Sequence, residues 1–150
     1  MSLSKNHCPL ESVEQQRLIL WADHKKVGAD TVGSFLFAIP NGGSRAKTTA
    51  RFSNEALRMK HEGVRPGVPD LMLAVPKQGY AGLFIEMKRA VKSLSRVSPE
   101  QKIWHKRLSD IGYRVIVAYG AKEAMSAICE YLGVEDVNCK FSRNRSDTSI

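Results

Sequence analysis

The chain has 150 residues, 43% hydrophobic and 25% charged, a composition typical of one globular domain and not of a disordered chain. No apolar run approaches the roughly 20 residues that a membrane-spanning helix needs, and no secretory signal pattern opens the sequence. The net charge is +8, and residues 40–107 hold 14 basic and 5 acidic side chains. That excess is typical either of solvated surfaces or of a surface that binds nucleic acid phosphates.

The spacing of apolar residues, glycines and prolines predicts one α/β domain in the order α-β-α-β-β-α-β-α. Helices are expected over residues 12–28, 49–62, 98–111 and 121–132, and strands over residues 35–39, 70–75, 83–88 and 113–119. The domain is expected to span residues 11–137, between a flexible N-terminus (1–10) and a polar, mobile tail (138–150).

Two of the predicted helices start with the pattern of a capping box. Ser12 and Gln15 have this spacing in the first helix. In the third helix Ser98 is the expected N-cap, Pro99 occupies the first helical position, and Gln101 closes the box. Gln101 therefore has a structural role whether or not it also belongs to a functional site.

The strands over 70–75 and 83–88 are predicted to form a hairpin, because the segment 77–82 between them contains two glycines. If the hairpin is symmetric about its turn, the numbers of facing residues sum to 156 or 157. Either register brings the carboxylate of Asp70 beside Glu86. Because side chains alternate along a strand, Glu86 and Lys88 share one face, about 7 Å apart.

Two neighbouring carboxylates repel each other, and a bound divalent cation removes that cost. Oxygen ligands of this kind suit Mg²⁺ or Mn²⁺, and Lys88 could then orient water or stabilise charge on a phosphate. The alternative is a surface Glu86–Lys88 pair on an edge strand, with Asp70 capping a turn. The joint pattern of Pro-Asp, a compact turn and Glu-x-Lys favours the metal site.

This pattern resembles the signature of the PD-(D/E)xK nuclease superfamily, and more narrowly its VRR-NUC branch, the virus-type replication-repair nucleases. The resemblance runs from about Glu11 to Leu132. It rests on four segments: Ile39-Pro40-Asn41-Gly42-Gly43, Gly67-Val68-Pro69-Asp70, Phe84-Ile85-Glu86-Met87-Lys88 and Ser98-Pro99-Glu100-Gln101. It implies a restriction-endonuclease-like core, a mixed β-sheet flanked by helices, in a stand-alone minimal member.

The resemblance also implies roles for single residues. Asp70 and Glu86 would ligate the metal, Mg²⁺ or Mn²⁺, together with the backbone carbonyl of Met87. Glu14 of the first helix would support the metal site, unless it is a solvated helix residue. Lys88 would act on the attacking water.

Further implied roles concern the substrate. Gln101 would lie near the substrate or near Lys88. Asn41, Gly42, Gly43 and Arg45 match a loop expected near the scissile phosphate, with an ordinary strand-to-helix turn as the alternative. Among the basic residues, Arg65 is the best placed to contact DNA. The four histidines lack metal-ligand spacing, and His105, which follows Trp104 on a predicted helix, is interpreted as a packing or surface residue.

The sequence therefore predicts a metal-dependent endonuclease that hydrolyses phosphodiester bonds in DNA of branched or otherwise defined structure. Stand-alone members of the branch resemble Holliday-junction resolvases, and two symmetric cuts need a two-fold homodimer. The alternatives are a flap or duplex nuclease acting as a monomer, and a non-catalytic nucleic-acid-binding module. A nucleotide cofactor is not expected, because no Walker A or GxGxxG sequence follows a predicted strand. No membrane partner is expected either.

The cysteines indicate the compartment. Cys8, Cys129 and Cys139 are odd in number, widely spaced and without a Cys-x-x-Cys pair, so neither a disulfide framework nor a structural zinc site is encoded. We expect a reducing cytoplasm, that of a bacterial or phage-infected cell.

Overall fold

The computed structural model of the chain describes residues 7–41 and 50–136. Its helices are α1 (Glu11–His24), α2 (Ala50–His61), α3 (Pro99–Asp110) and α4 (Ala121–Leu132). Its strands are β1 (Lys26–Val27), β2 (Asp30–Thr31), β3 (Leu36–Ala38), β4 (Leu71–Leu73), β5 (Leu83–Lys88) and β6 (Arg114–Tyr119). The tail predicted to be mobile, 138–150, lies outside the described residues.

Strands β3 to β6 form a mixed sheet in the order β3-β4-β5-β6. The first two pairings are antiparallel and β5 pairs with β6 in parallel, as a crossover through α3 requires. In the predicted hairpin Leu71 faces Ile85 and Leu73 faces Leu83, so the numbers of facing residues sum to 156. The predicted mixed α/β core and one of the two predicted registers are confirmed.

All six residues of β5 are buried, because this inner strand is covered on both faces. Side chains alternate along the strand, so Leu83, Ile85 and Met87 join the main core. That core includes Leu18 of α1 and Ile128 of α4, and these two helices pack on each other and on β5. Residues 84, 86 and 88 form the opposite row of β5, and this alternation separates the polar side chains from the core.

The start of α3 has the predicted capping box. The Ser98 hydroxyl accepts a hydrogen bond from the Gln101 amide at 3.2 Å, and the Gln101 side-chain carbonyl accepts one from the Ser98 amide at 2.8 Å. The capping box predicted for α1 is wrong: the helix begins at Glu11, and its N-cap, Leu10, makes no side-chain cap. The first turn is closed by backbone hydrogen bonds alone, since the amides of residues 13 and 14 donate to the Leu10 carbonyl.

The chain between α1 and β3 also differs from the prediction. Gly28 does not end α1, which stops at His24. Instead it lies at φ +60° in the turn of a small antiparallel hairpin in which Val27 faces Asp30. Strands of two residues are too short to produce a periodic pattern, so the sequence gives no signal for them.

The described part of the N-terminus is attached to the rest of the fold. Cys8 is buried, and the Arg89 guanidinium donates hydrogen bonds to the backbone carbonyls of Cys8 and Pro9. Within residues 7–41 and 50–136 no helix is both long enough and apolar enough to cross a bilayer.

Candidate active site

The charged residues of the predicted site lie together where the start of β4 meets the end of β5. Asp70 directly precedes β4, while Glu86 and Lys88 lie at the end of β5. Because β4 and β5 are antiparallel in the register given above, the start of one strand lies beside the end of the other. The structure thus brings together the three residues that the sequence singles out, on rigid strands.

Asp70 is a partly buried carboxylate held by two hydrogen bonds. Its Oδ1 accepts from the Asn41 side-chain amide at 2.9 Å, and its Oδ2 accepts from the Met87 backbone amide at 2.7 Å. Burial, and next the charge of Glu86, raise the pKa of Asp70 from 3.8 to about 6, although both donors oppose the rise. The site therefore holds more negative charge than its protein surroundings compensate.

Glu86 is 1% exposed, and its two oxygens have different surroundings. Oε1 accepts a hydrogen bond from the Gln101 side-chain amide at 2.5 Å and lies 3.3 Å from the Lys88 ammonium. Oε2 is buried and has no hydrogen-bond partner among the described residues. One oxygen is thus fixed by the chain, while the other is left for a further group.

Lys88 and Gln101 form one network with Glu86. The Lys88 ammonium is almost fully buried and donates to the Gln101 side-chain carbonyl at 3.3 Å. The same carbonyl accepts from the Ser98 backbone amide, so the capping box orients the amide that contacts both charges. Lys88 also lies 3.9 Å from a carboxylate oxygen of Glu11 at the start of α1. Gln101 therefore has the structural role and the position near Lys88 that the sequence allows.

His105 is a site residue that the sequence reasoning missed. Its Nε2 lies 3.6 Å from Oε2 of Glu86, and its side chain is 17% exposed. The signal was present in the sequence: His105 is four residues after Gln101, so a helix starting at Pro99 places both on one face. Its position after Trp104 favours a packing or surface residue, whereas its spacing from Gln101 places it on the helix face that meets Glu86.

Comparisons with known proteins identify the family of this chain. The family model described as the VRR-NUC domain matches residues 38–122, more than half of the chain. The chain belongs to the VRR-NUC family. A solved structure described as a VRR_NUC domain protein is 26% identical, with a TM-score of 0.70 over 85% of this chain and 92% of that one. A search of curated proteins finds no match. VRR-NUC membership implies a nuclease of the PD-(D/E)xK type.

The residues expected to contact DNA have different positions in this VRR-NUC domain. Asn41 follows β3 and donates hydrogen bonds to Asp70 and to the Val68 carbonyl, so it orients the Asp70 carboxylate. The Arg65 guanidinium donates to the Lys60 carbonyl at 2.9 Å, at the end of α2, and this contact is exposed. The other predicted contacts, Gly42, Gly43 and Arg45, lie outside the described residues.

The first helix carries two carboxylates with different surroundings: Glu11 lies beside Lys88, and Glu14 lies at the start of α4. Glu14 is 5% exposed, and its Oε2 accepts a hydrogen bond at 2.8 Å from the backbone amide of Ala121, the first residue of α4. Its Oε1 lies 3.4 Å from Arg17. Glu14 therefore caps the start of α4, although Glu14 and Ala121 are 107 residues apart in the chain. The helix dipole also favours a negative charge at the start of α4. Its predicted support of the metal stays a prediction.

Replacing Glu14 and Glu11 one at a time separates a role in stability from a role in DNA cleavage. We expect Glu14→Ala to lower the free energy of unfolding by about 1–2 kcal/mol, because the Ala121 amide loses its cap. Glu11→Ala, at an exposed position, is expected to leave stability nearly unchanged and to lower DNA cleavage through Lys88. Urea denaturation and cleavage rates measured on both variants test these expectations. Equal free energies of unfolding for Glu14→Ala and Glu11→Ala would contradict the capping role of Glu14.

The donors at this edge fit a hard divalent cation. Among residues 7–41 and 50–136, no three His, Cys, Asp or Glu side chains form a ready-made metal cage. Mg²⁺ is typically bound by only one or two protein carboxylates, with water and substrate phosphate as its other ligands. Such a cation would lower the raised pKa of Asp70 and would provide a partner for Oε2 of Glu86.

Proposed function

We propose that this chain is a metal-dependent endonuclease that cleaves DNA at the edge formed by Asp70, Glu86 and Lys88. The observation that carries the proposal is the carboxylate pair: two neighbouring acidic groups are withdrawn from water, and one buried oxygen is left without a partner. A binding surface alone has no need for buried like charges, which cost stability unless a cation joins them.

Asp70, Glu86 and the backbone carbonyl of Met87 would hold Mg²⁺ or Mn²⁺, with support from the carboxylates of α1. When bound, such an ion supplies a Lewis acid that lowers the pKa of water and neutralises negative charge on phosphate. Asn41 and the Met87 amide fix the orientation of Asp70, and Gln101 fixes that of Glu86. Because both carboxylates are already oriented, Asp70 and Glu86 can bind the ion without rearrangement of their side chains.

Lys88 provides a positive charge beside the reacting phosphate. Its ammonium is held by Gln101 and Glu86 in a buried position, where electrostatic interactions are stronger than in water. We assign it to orienting the attacking water and stabilising charge that develops on the phosphate. The water oxygen bonds to phosphorus as the opposite phosphorus–oxygen bond breaks, and the leaving sugar oxygen takes up a proton.

The proposed substrate is branched DNA, cut by a homodimer in the manner of a Holliday-junction resolvase. The basic excess of residues 40–107 surrounds the acidic site in sequence, and this charge suits a phosphate backbone. Two symmetric cuts in a four-way junction match the two-fold symmetry of a homodimer. We also propose a reducing cytoplasm, since Cys8 and Cys129 are free thiols in the structure.

A cleavage panel tests the proposal. The wild-type chain is incubated with Mn²⁺ or Mg²⁺ and a labelled four-way junction, flap or plain duplex, and its mass in solution is measured. We expect cleavage of the junction and a reduction of at least a thousandfold in Glu86→Gln, which loses a charged ligand. Glu130→Gln, at an exposed carboxylate of α4, is the matched control and is expected to cut normally.

Each outcome of this panel separates the alternatives. Preferred cutting of flaps or duplex by a monomer would support the alternative specificity. DNA binding without cleavage in either metal would support the non-catalytic module. Full activity in Glu86→Gln would refute the proposed site.

A further inference from the structure

Two buried polar atoms face each other in the site without a hydrogen bond. They are Oε2 of Glu86 and Nε2 of His105, 3.6 Å apart, and they are the two buried side-chain nitrogen or oxygen atoms without a hydrogen-bond partner among the described side chains of residues 7–41 and 54–136. Such atoms are costly, and in native proteins they are usually completed by a water or an ion. That the two unpartnered atoms are neighbours points to one shared group between them.

The distance helps to identify that group. At 3.6 Å the contact is too long for a direct hydrogen bond between carboxylate and imidazole. Two ligands with bonds of about 2.1 Å to one first-row metal ion lie roughly 3.0–3.5 Å apart at octahedral or tetrahedral angles. A cation between Oε2 and Nε2 therefore needs only a small adjustment of the two side chains.

Helix α3 presents one residue to each oxygen of Glu86. Gln101 donates to Oε1, and His105, one turn later, faces Oε2. Oε1 is also paired with Lys88, so Oε2 is the oxygen that is left to bind a metal. The imidazole thus lies on the ligand side of the carboxylate and the lysine on the other side.

We propose that His105 supplies a nitrogen donor to the metal ion held by Glu86, an inference that rests on the proposed function. The site would then have a mixed oxygen and nitrogen donor set. Imidazole nitrogen binds divalent transition ions such as Co²⁺ and Ni²⁺ far better than it binds Mg²⁺. His105 would therefore determine which metal this nuclease prefers.

Calorimetric titration of the full chain with CoCl₂ and with MgCl₂ tests this inference without using activity. We expect His105→Leu, which keeps the bulk and removes the nitrogen, to weaken Co²⁺ binding at least tenfold. Mg²⁺ affinity is expected to change by less than about threefold, because Mg²⁺ prefers oxygen. The visible absorption of bound Co²⁺ is expected to shift as well. His24→Leu, at an exposed histidine of α1, is the control and is expected to match the wild type.

The outcomes distinguish this inference from the proposed function. Unchanged Co²⁺ affinity in His105→Leu, or an equal loss for both ions, would overturn the nitrogen-donor role. Co²⁺ binding that is equal in wild type and Glu86→Gln would instead refute the proposed metal site. If His105→Leu fails to fold, as judged by its thermal transition, His105→Gln offers an oxygen in place of nitrogen and is expected to show the same selective loss for Co²⁺.

Discussion

Replacing Asp70 by asparagine is expected to stabilise the metal-free protein at pH 7 while abolishing DNA cleavage. Burial and the charge of Glu86 raise the pKa of Asp70 from 3.8 to about 6, so at pH 7 the folded protein carries an unfavourable charge. A shift of this size corresponds to about 3 kcal/mol at most, and partial solvent access lowers it. Asparagine can still accept from the Met87 amide, but its own NH2 group then meets the Asn41 donor. We therefore expect a gain of about 1–2 kcal/mol.

The sign of this effect determines its pH dependence. A folded pKa above the unfolded value means that the folded state retains the Asp70 proton between pH 3.8 and 6. The associated stability is fully present below pH 3.8 and is lost as the pH rises through 6. Wild-type protein in a chelator should therefore lose stability over this window, and Asp70→Asn should lack that component.

Urea denaturation with a chelator from pH 4.5 to 8 measures the difference. Asp110→Asn, at an exposed carboxylate of α3, is the control and is expected to follow the wild type. Adding Mn²⁺ at pH 7.5 should stabilise the wild type and not Asp70→Asn. A variant less stable than the wild type at pH 7, with the same pH profile, would contradict the assigned electrostatics.

The second large effect is expected from Lys88→Met, which removes the ammonium from a buried ion pair. Glu86 would be left almost fully buried with only the Gln101 amide on its Oε1. Breaking a buried pair in this way costs about 3–5 kcal/mol, because the remaining charge is not compensated. We expect a loss of stability of this size in the metal-free protein, together with loss of cleavage.

A double-mutant cycle separates this charge effect from lost packing. Glu86→Gln combined with Lys88→Met removes both charges and is expected to be more stable than Lys88→Met alone. Lys106→Met breaks an exposed pair with Asp110 and should change stability by less than about 0.5 kcal/mol. If Lys88→Met and the double variant unfold at the same urea concentration, the charge of Glu86 is not what Lys88 stabilises.

Local signals predict much of this fold because they act within a few residues of the chain. The boundaries of β5 and α4 agree with the sequence prediction to the residue, and the capping box of α3 forms as expected. The compact turn between β4 and β5 restricts the register to two neighbouring choices, both of which place Asp70 beside Glu86. A short hairpin with a buried strand is therefore enough to predict that Asp70 and Glu86 are neighbours.

The remaining features depend on contacts between distant segments. The cap that Glu14 provides to α4 joins residues 107 apart, and no local pattern encodes it. Helical spacing places His105 on the same face as Gln101, but its approach to Glu86 also depends on how α3 packs against the sheet. The hydrogen bond from Asn41 to Asp70 is also a contact between distant segments, since it depends on the pairing of β3 with β4.

The parallel pairing of β5 with β6 has a consequence for the newly made protein. The helix between them carries Gln101 and His105, so these residues reach Glu86 only when a contact between distant parts of the chain has closed. Such long-range closure comes late in folding. A nascent or truncated polypeptide that ends before β6 would contain α3 but would lack the strand pairing that holds this helix beside the acidic pair. The proposed cleavage activity would therefore require the complete tertiary structure.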